Sequence, residues 1–180
     1  AAFGGLNRIN FNADGYEVNP VIISPERKTQ LNQNLMLFFT GFSRFSSDIQ
    51  QTTEKALVDK QKQLLEMLSL VDDAEKVLTS KTDLNEFGRL LDYTWKLKRG
   101  ISNRISTDSI DGLYAKGIAA GALGGKLLGA GGGGFLLFYV EPDKQEAVHK
   151  AMEELLYVPF EFENSGTRVI HYTPETYEKR

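Results

Sequence analysis

The sequence predicts an α+β fold, and three observations carry that prediction. Short apolar runs of strand length recur, among them Leu35-Met36-Leu37-Phe38-Phe39 and Phe135-Leu136-Leu137-Phe138-Tyr139-Val140. Stretches with helical hydrophobic periodicity separate them. An Asp14-Gly15 pair between two alternating segments marks a hairpin near the start.

The chain has 180 residues, enough for one or two domains with a substantial core. Hydrophobic content of 41% and charged content of 25% are ordinary globular values. A net charge of −3 argues against a nucleic-acid partner. There is no Cys, so disulfides and thiolate metal sites are excluded. His149 and His171 stand in unrelated contexts and read as surface or edge residues, and no metal site is expected. No run of apolar residues is long enough for a membrane span and no signal peptide is visible, so the expectation is a soluble cytoplasmic protein without a membrane partner. Ala1-Ala2-Phe3-Gly4-Gly5 has no initiator Met and reads like the middle of a protein, so a fragment of something longer is expected.

Taken in order, Arg8 to Phe11 and Tyr16 to Val18 alternate about the Asp-Gly turn. Pro20 to Ser24 reads as extended. Asn34 to Thr40 reads as a strand buried on both faces. Ser47 with Gln50 is a capping box. It opens a long helix whose Ile49, Thr53, Ala56, Leu57, Leu64, Leu68 and Val71 lie mostly on one stripe. That stripe can persist to Leu78, with Asp72-Asp73 as a place for a break. Asp83 with Glu86 opens the next helix, with Leu84, Phe87, Leu90, Leu91, Thr94 and Leu97 facing the core. Lys96, Lys98 and Arg99 make its last turn basic, and Gly100 is its C′ stop.

Ser106 to Ala122 reads as a third helix, ending in small residues that suit close packing. Phe135 to Val140 is a strand. Asp143 with Glu146 caps a helix running to about Leu156. Val158 to Phe162 and Thr167 to Tyr172 read as two strands joined at Asn164 to Gly166, and the tail from Pro174 as frayed. Strands separated by one helix or by a helical block describe a split βαβ, ferredoxin-like domain. Leu35–Thr40, Phe135–Val140, Val158–Phe162 and Thr167–Tyr172 are expected in one sheet, with the helices on one face.

The run Gly129-Ala130-Gly131-Gly132-Gly133-Gly134 holds five glycines in six residues. Gly reaches positive φ and lets backbone N–H groups approach a ligand. Successive inward N–H groups form a concavity for phosphate oxygens. Three other readings compete. A flexible linker does not sit between apolar structured segments. The run also matches G-x-G-x-x-G, but that fingerprint needs a strand before it and a helix after it, and here a strand-like run follows. A Walker A loop fails at both ends of its nearest attempt, Ala120 to Leu127.

Lys126-Leu127-Leu128 followed by this glycine run resembles the third signature of the GHMP small-molecule kinases. Ala2-Phe3-Gly4-Gly5-Leu6-Asn7-Arg8, Thr40-Gly41-Phe42-Ser43-Arg44 and Ser109-Ile110-Asp111-Gly112-Leu113-Tyr114 sharpen the match toward the sugar-phosphate branch, typified by heptose 7-phosphate kinases. The likeness covers nearly the whole chain. It implies the ferredoxin-like C-terminal domain of these kinases, an antiparallel sheet covered by helices and preceded by a β-hairpin. Residues 1–25 would be the hairpin remnant of the N-terminal kinase domain and 26–180 the C-terminal domain. It also implies a complete enzyme using ATP and Mg²⁺ to phosphorylate a sugar hydroxyl, for nucleotide-activated heptose synthesis. The Gly/Ser-rich ATP loop of the family is missing, and its catalytic Asp would fall just upstream of Ala1. The chain alone would then be inactive, its partners the N-terminal half, ATP and a sugar phosphate. A homodimer is compatible with the sequence.

Under that resemblance Gly129, Ala130, Gly131, Gly132, Gly133 and Gly134 floor the active site. The substrate-binding candidates are Arg44, Thr40, Lys98, Lys126 and Asp111, and all but Thr40 carry a blander alternative. Arg44 holds a sugar phosphate bidentately or makes a surface ion pair. Lys98, with Arg99, complements the acceptor phosphate or a helix C-terminus. Lys126 meets an anion or sits at a solvated edge. Asp111 caps a helix or binds a sugar hydroxyl. The rival function is a stand-alone ferredoxin-like module that binds a metabolite or regulates.

Overall fold

The computed structural model describes residues 2–42, 60–102, 105–129 and 133–171. They fall into two compact units, Ala1–Ile22 with Glu161–Arg180, and Ile23–Phe160.

The first unit is built on a hairpin. Strands β1 (Asn7–Asn12) and β2 (Gly15–Pro20) pair antiparallel, with Asn12 opposite Gly15. The turn is Ala13-Asp14, and Gly15, at φ +146, opens β2. Asn12 Oδ1 accepts from the Asp14 amide at 2.9 Å, an Asx-type turn. Residues 2–5 lie against residues 163–167: Gly5 N donates to Glu163 O at 2.7 Å and Thr167 N to Ala2 O at 3.1 Å. A Cβ at Gly4 would stand 2.3 Å from Gly166 N.

The second unit holds one four-stranded antiparallel sheet in the order β4-β5-β3-β6. Its strands are β3 (Leu35–Phe39), β4 (Gly124–Leu128), β5 (Phe135–Tyr139) and β6 (Leu156–Tyr157). The helices are α1 (Pro25–Gln33), α2 (Gln61–Thr79), α3 (Asn85–Arg99), α4 (Asp108–Ala119) and α5 (Gln145–Ala151). This is the expected α+β, ferredoxin-like arrangement with a preceding hairpin.

The core gathers Phe38, Leu127, Leu136 and Phe138 of the sheet with Trp95, Ile110, Tyr114, Val148 and Met152 of the helices. Burial of each large side chain contributes roughly 1.5–3 kcal/mol. Helices reach both faces of the sheet rather than one. Gly88 of α3 lies against the Tyr139 ring and Gly117 of α4 against the Phe138 ring. Adjacent strand residues point to opposite faces.

Several elements depart from the sequence reading. Residues after Ser24 form helix α1 rather than continuing an extended run. Ser24 Oγ accepts from Arg27 N at 3.2 Å and Pro25 opens the helix, a favoured pair of start signals. The Arg27 guanidinium then closes the C-terminal end of α2. It donates to the carbonyls of Leu78 at 2.8 Å and Thr82 at 2.7 Å, and to that of Val77. The capping box at Ser47 and Gln50 lies outside the described residues.

Helix α3 begins at Asn85, with no side-chain bond to its cap. Asp83 Oδ1 accepts from Asn85 N at 3.0 Å, and Glu86 pairs with Arg89 rather than reaching back. Gly100 ends α3 at φ −70, so the stop is right-handed and not the left-handed C′ form. Asp143 and Glu146 do not cap: a 3₁₀ turn, Pro142–Lys144, leads into α5, which ends at Ala151.

The strand expected at Val158 to Phe162 is displaced to Leu156–Tyr157. Val158 N makes a last bond to Leu37 O at 2.8 Å, and Pro159 then has no N–H to continue the ladder. Residues 167–171 are not a strand, and Val169 and Ile170 are exposed. The missing sheet member is β4, which runs directly into the glycine run.

Candidate functional site

The glycine run is the connection of the β4–β5 hairpin. Leu128 pairs with Phe135 at its base. Gly129 at φ +95 and Gly134 at φ +107 turn the chain at its two ends, in backbone conformations that side chains disfavour. Ala130, Gly131 and Gly132 lie outside the described residues.

The β5 end of the loop is fastened to the end of β3. Thr40 N and Thr40 Oγ1 both donate to Gly134 O, at 2.9 and 2.8 Å. Gly134 N donates to Phe42 O at 3.0 Å, and Phe42 N donates to Thr40 Oγ1 at 3.3 Å. Gly133 presses on the same carbonyl: a Cβ there would stand 2.4 Å from Phe42 O. Thr40 is buried, and its hydroxyl is engaged as donor and as acceptor. The structure thus brings Thr40-Gly41-Phe42 onto the loop. Arg44, two residues on, lies outside the described residues.

The β4 end meets α3. Lys98, in the last turn of α3, donates to Gly129 O at 3.3 Å. Lys126 projects from β4 and is half-buried, as is Lys98. Burial lowers the pKa of both ammonium groups, and the charge of Lys126 lowers that of Lys98 further. The neighbouring cations of α3 are neutralised differently. Lys96 pairs with Asp92 at 2.6 Å and Arg99 with Asp111 at 3.0 Å. Among the described residues, no carboxylate pairs with Lys98 or Lys126.

Asp111 is not a cap. Thr107 is the N-cap of α4, and its Oγ1 accepts from Ile110 N at 3.3 Å. Asp111 sits in the first turn, holding Arg99 with one oxygen and accepting from Ser106 Oγ at 2.5 Å with the other. It joins the end of α3 to the start of α4.

Two clefts flank that start. One, of about 620 Å³, is lined by Lys96, Arg99, Gly100, Ser106 and Thr107. The other, of about 350 Å³, lies beside Thr40 and Phe42 and is lined by Ser109, Gly112 and Lys116. Asp108 borders both. The sequence reading does not single out Asp108. Its place in a Thr-Asp-Ser run is an ordinary helix start, and only the fold sets it between two clefts.

Taken together, a glycine loop fastened at both ends, a lysine pair and two clefts share one region. Such a region offers positive charge to an anionic ligand.

Residues 70–158 match the family described as GHMP kinases C terminal. The D-glycero-alpha-D-manno-heptose 7-phosphate kinase of Campylobacter jejuni is 34% identical over 173 residues, covering 93% of this chain and 51% of that enzyme. A mevalonate kinase of Pyrococcus abyssi is 36% identical over 89 residues, covering 48% of this chain and 26% of that enzyme. The crystal structure of L. major mevalonate kinase superposes with a TM-score of 0.69 at 19% identity, over 93% of this chain and 51% of that one. The chain belongs to the GHMP kinases and carries their C-terminal domain. It spans about half the length of the Campylobacter relative.

Proposed function

We propose that this chain is the acceptor-side half of an ATP-dependent sugar-phosphate kinase. The complete enzyme moves a phosphoryl group from ATP, with Mg²⁺, to a hydroxyl of a heptose 7-phosphate in the cytoplasm. One observation carries the choice of substrate: the likeness to the Campylobacter heptose 7-phosphate kinase runs over 93% of the chain, whereas that to the Pyrococcus mevalonate kinase covers 48%.

Phosphoryl transfer is catalysed mainly by positioning and charge stabilisation. In this reading the loop Gly129–Gly134 steadies phosphate oxygens or the neighbouring nucleotide loop, and Thr40 holds it in place. Lys98, Lys126 and Arg44 supply positive charge for the acceptor. Asp111 serves indirectly, by fixing Arg99 and the first turn of α4. The ATP loop, the metal site and the catalytic Asp belong to an N-terminal half. Residues 1–25 are assigned to that half and 26–180 to the C-terminal domain. A compact unit starting at Ile23 is close to that N-terminal boundary, but it ends at Phe160, and Glu161–Arg180 group with the hairpin instead of with the rest of 26–180.

The test is ADP release by the complete enzyme with D-glycero-D-manno-heptose 7-phosphate and with mevalonate. The expected preference for the heptose is roughly 100-fold or more in kcat/KM, the scale on which a hydrogen-bonding site rejects an unmatched substrate. Equal rates, or a preference for mevalonate, would remove the sugar assignment. In the same enzyme Arg44→Ala should raise KM for the sugar phosphate more than for ATP. The cost expected for lost charged hydrogen bonds is about 2–3 kcal/mol.

A further inference from the structure

We infer that Lys98 and Lys126 together form a phosphate-binding site at the β4 end of the glycine loop. The choice of ligand rests on the kinase reading, but the site itself is argued from charge and geometry.

The other cations of α3 each have a carboxylate beside them, although Arg89 and Lys96 are exposed and only Arg99 is half-buried. Arg89 has Glu86, Lys96 has Asp92 and Arg99 has Asp111. Lys98 has a neutral carbonyl instead, that of Gly129. Lys126 has no described partner, although it projects from an otherwise apolar strand. Two ammonium groups within electrostatic reach of each other, both stripped of part of their water, destabilise the fold unless an anion joins them.

The described backbone does not crowd Gly129, whose carbonyl Lys98 holds: an added Cβ there would find no described atom within 4 Å beyond its chain neighbours. A phosphoryl group carries nearly two negative charges at neutral pH and has enough acceptor oxygens for both lysines. A single carboxylate would neutralise only one of them. The overall charge of −3 disfavours non-specific anion binding, so saturable binding would report a local site. A sugar phosphate and a nucleotide offer the same group, and the probes must separate them.

The experiment titrates the chain with inorganic phosphate, glucose 6-phosphate and ADP by calorimetry. It uses the parent chain and the variants Lys98→Gln, Lys126→Gln and Arg89→Gln, with thermal melts to confirm folding and Lys98→Arg as the charge-retaining control. Saturable binding should weaken about tenfold or more in the first two variants. It should hold in Arg89→Gln, whose exposed guanidinium is already paired with Glu86 and lines neither cleft, and largely return in Lys98→Arg. Tighter binding of glucose 6-phosphate than of ADP assigns the site to the acceptor, and the reverse order assigns it to the nucleotide. Absence of binding by all three probes, or equal affinity in all the variants, overturns the inference. Kinase activity with no lysine-dependent phosphate binding would sink this site and leave the kinase reading. Lysine-dependent binding in a complete protein without kinase activity would do the opposite.

Discussion

At position 124 even a methyl group does not fit. A Cβ there would stand 1.9 Å from Gly88 O and 2.8 Å from Asp92 N, where α3 lies backbone to backbone on β4. Gly124→Ala should therefore cost at least about 1–3 kcal/mol, the usual range for overpacking, read by urea denaturation. Gly112 is the contrast: it sits inside α4 with nothing within 4 Å of an added Cβ. Gly112→Ala should stabilise by roughly 0.5–1 kcal/mol. The lysine pair gives a pH signature. A Lys whose folded pKa lies below its unfolded value binds fewer protons when folded, so stability rises with pH between those two values. Lys126→Met should be more stable than the parent at neutral pH in phosphate-free buffer. That advantage should shrink as pH climbs through the lowered pKa toward the ordinary lysine value. An advantage that stays constant with pH would show that the ammonium carries no burial penalty.

At the scale of elements, one hydroxyl reinforces the two backbone bonds that fasten the glycine loop to the end of β3. Thr40→Val keeps the shape but loses the Oγ1 bonds to Gly134 O and from Phe42 N. It should cost about 1–3 kcal/mol and speed amide exchange at Gly134. Unchanged exchange would mean that the backbone bonds of Thr40 N to Gly134 O and of Gly134 N to Phe42 O hold the loop without the hydroxyl. Strands β3 and β5 were legible because an unbroken apolar run fits a strand covered on both faces. The hairpin was legible from Asp14-Gly15, although Gly15 turned out to begin β2. Strand β4 was not legible, because Gly124-Gly125 has poor strand propensity. Gly124 is there for the close approach of α3 and Gly125 for that of Leu137 O and the Phe138 ring, tertiary demands with no local trace. Helix α1 was missed because only Leu31 of its residues is buried, so it shows little periodicity. The Ser24-Pro25 start signal was present and would have found it. At the site, the loop and its resemblance were readable, as was the basic end of α3. Lys96 with Asp92 is an i, i+4 pair on one helix and was readable from spacing. That Arg99 meets Asp111 while Lys98 meets no described carboxylate depended on how α3 and α4 come together.

At the scale of the molecule, a GHMP kinase C-terminal domain is seen in a chain about half as long as its Campylobacter relative. The described residues bring together the two ends of a glycine loop, positive charge and clefts, which under the proposed function hold the phosphorylated acceptor. Catalysis also needs an ATP cradle, a metal site and a group that orients the attacking hydroxyl, and parts that act as a unit lose most of the rate when separated. The most direct measurement is ADP formation by the purified chain with Mg-ATP and D-glycero-D-manno-heptose 7-phosphate, first alone and then with the N-terminal half of the kinase added in trans. The account predicts no turnover above a matched blank for the chain alone, and heptose-dependent ADP formation once the two halves are combined. Turnover by the chain alone would contradict it, because a full active site would then reside within these 180 residues.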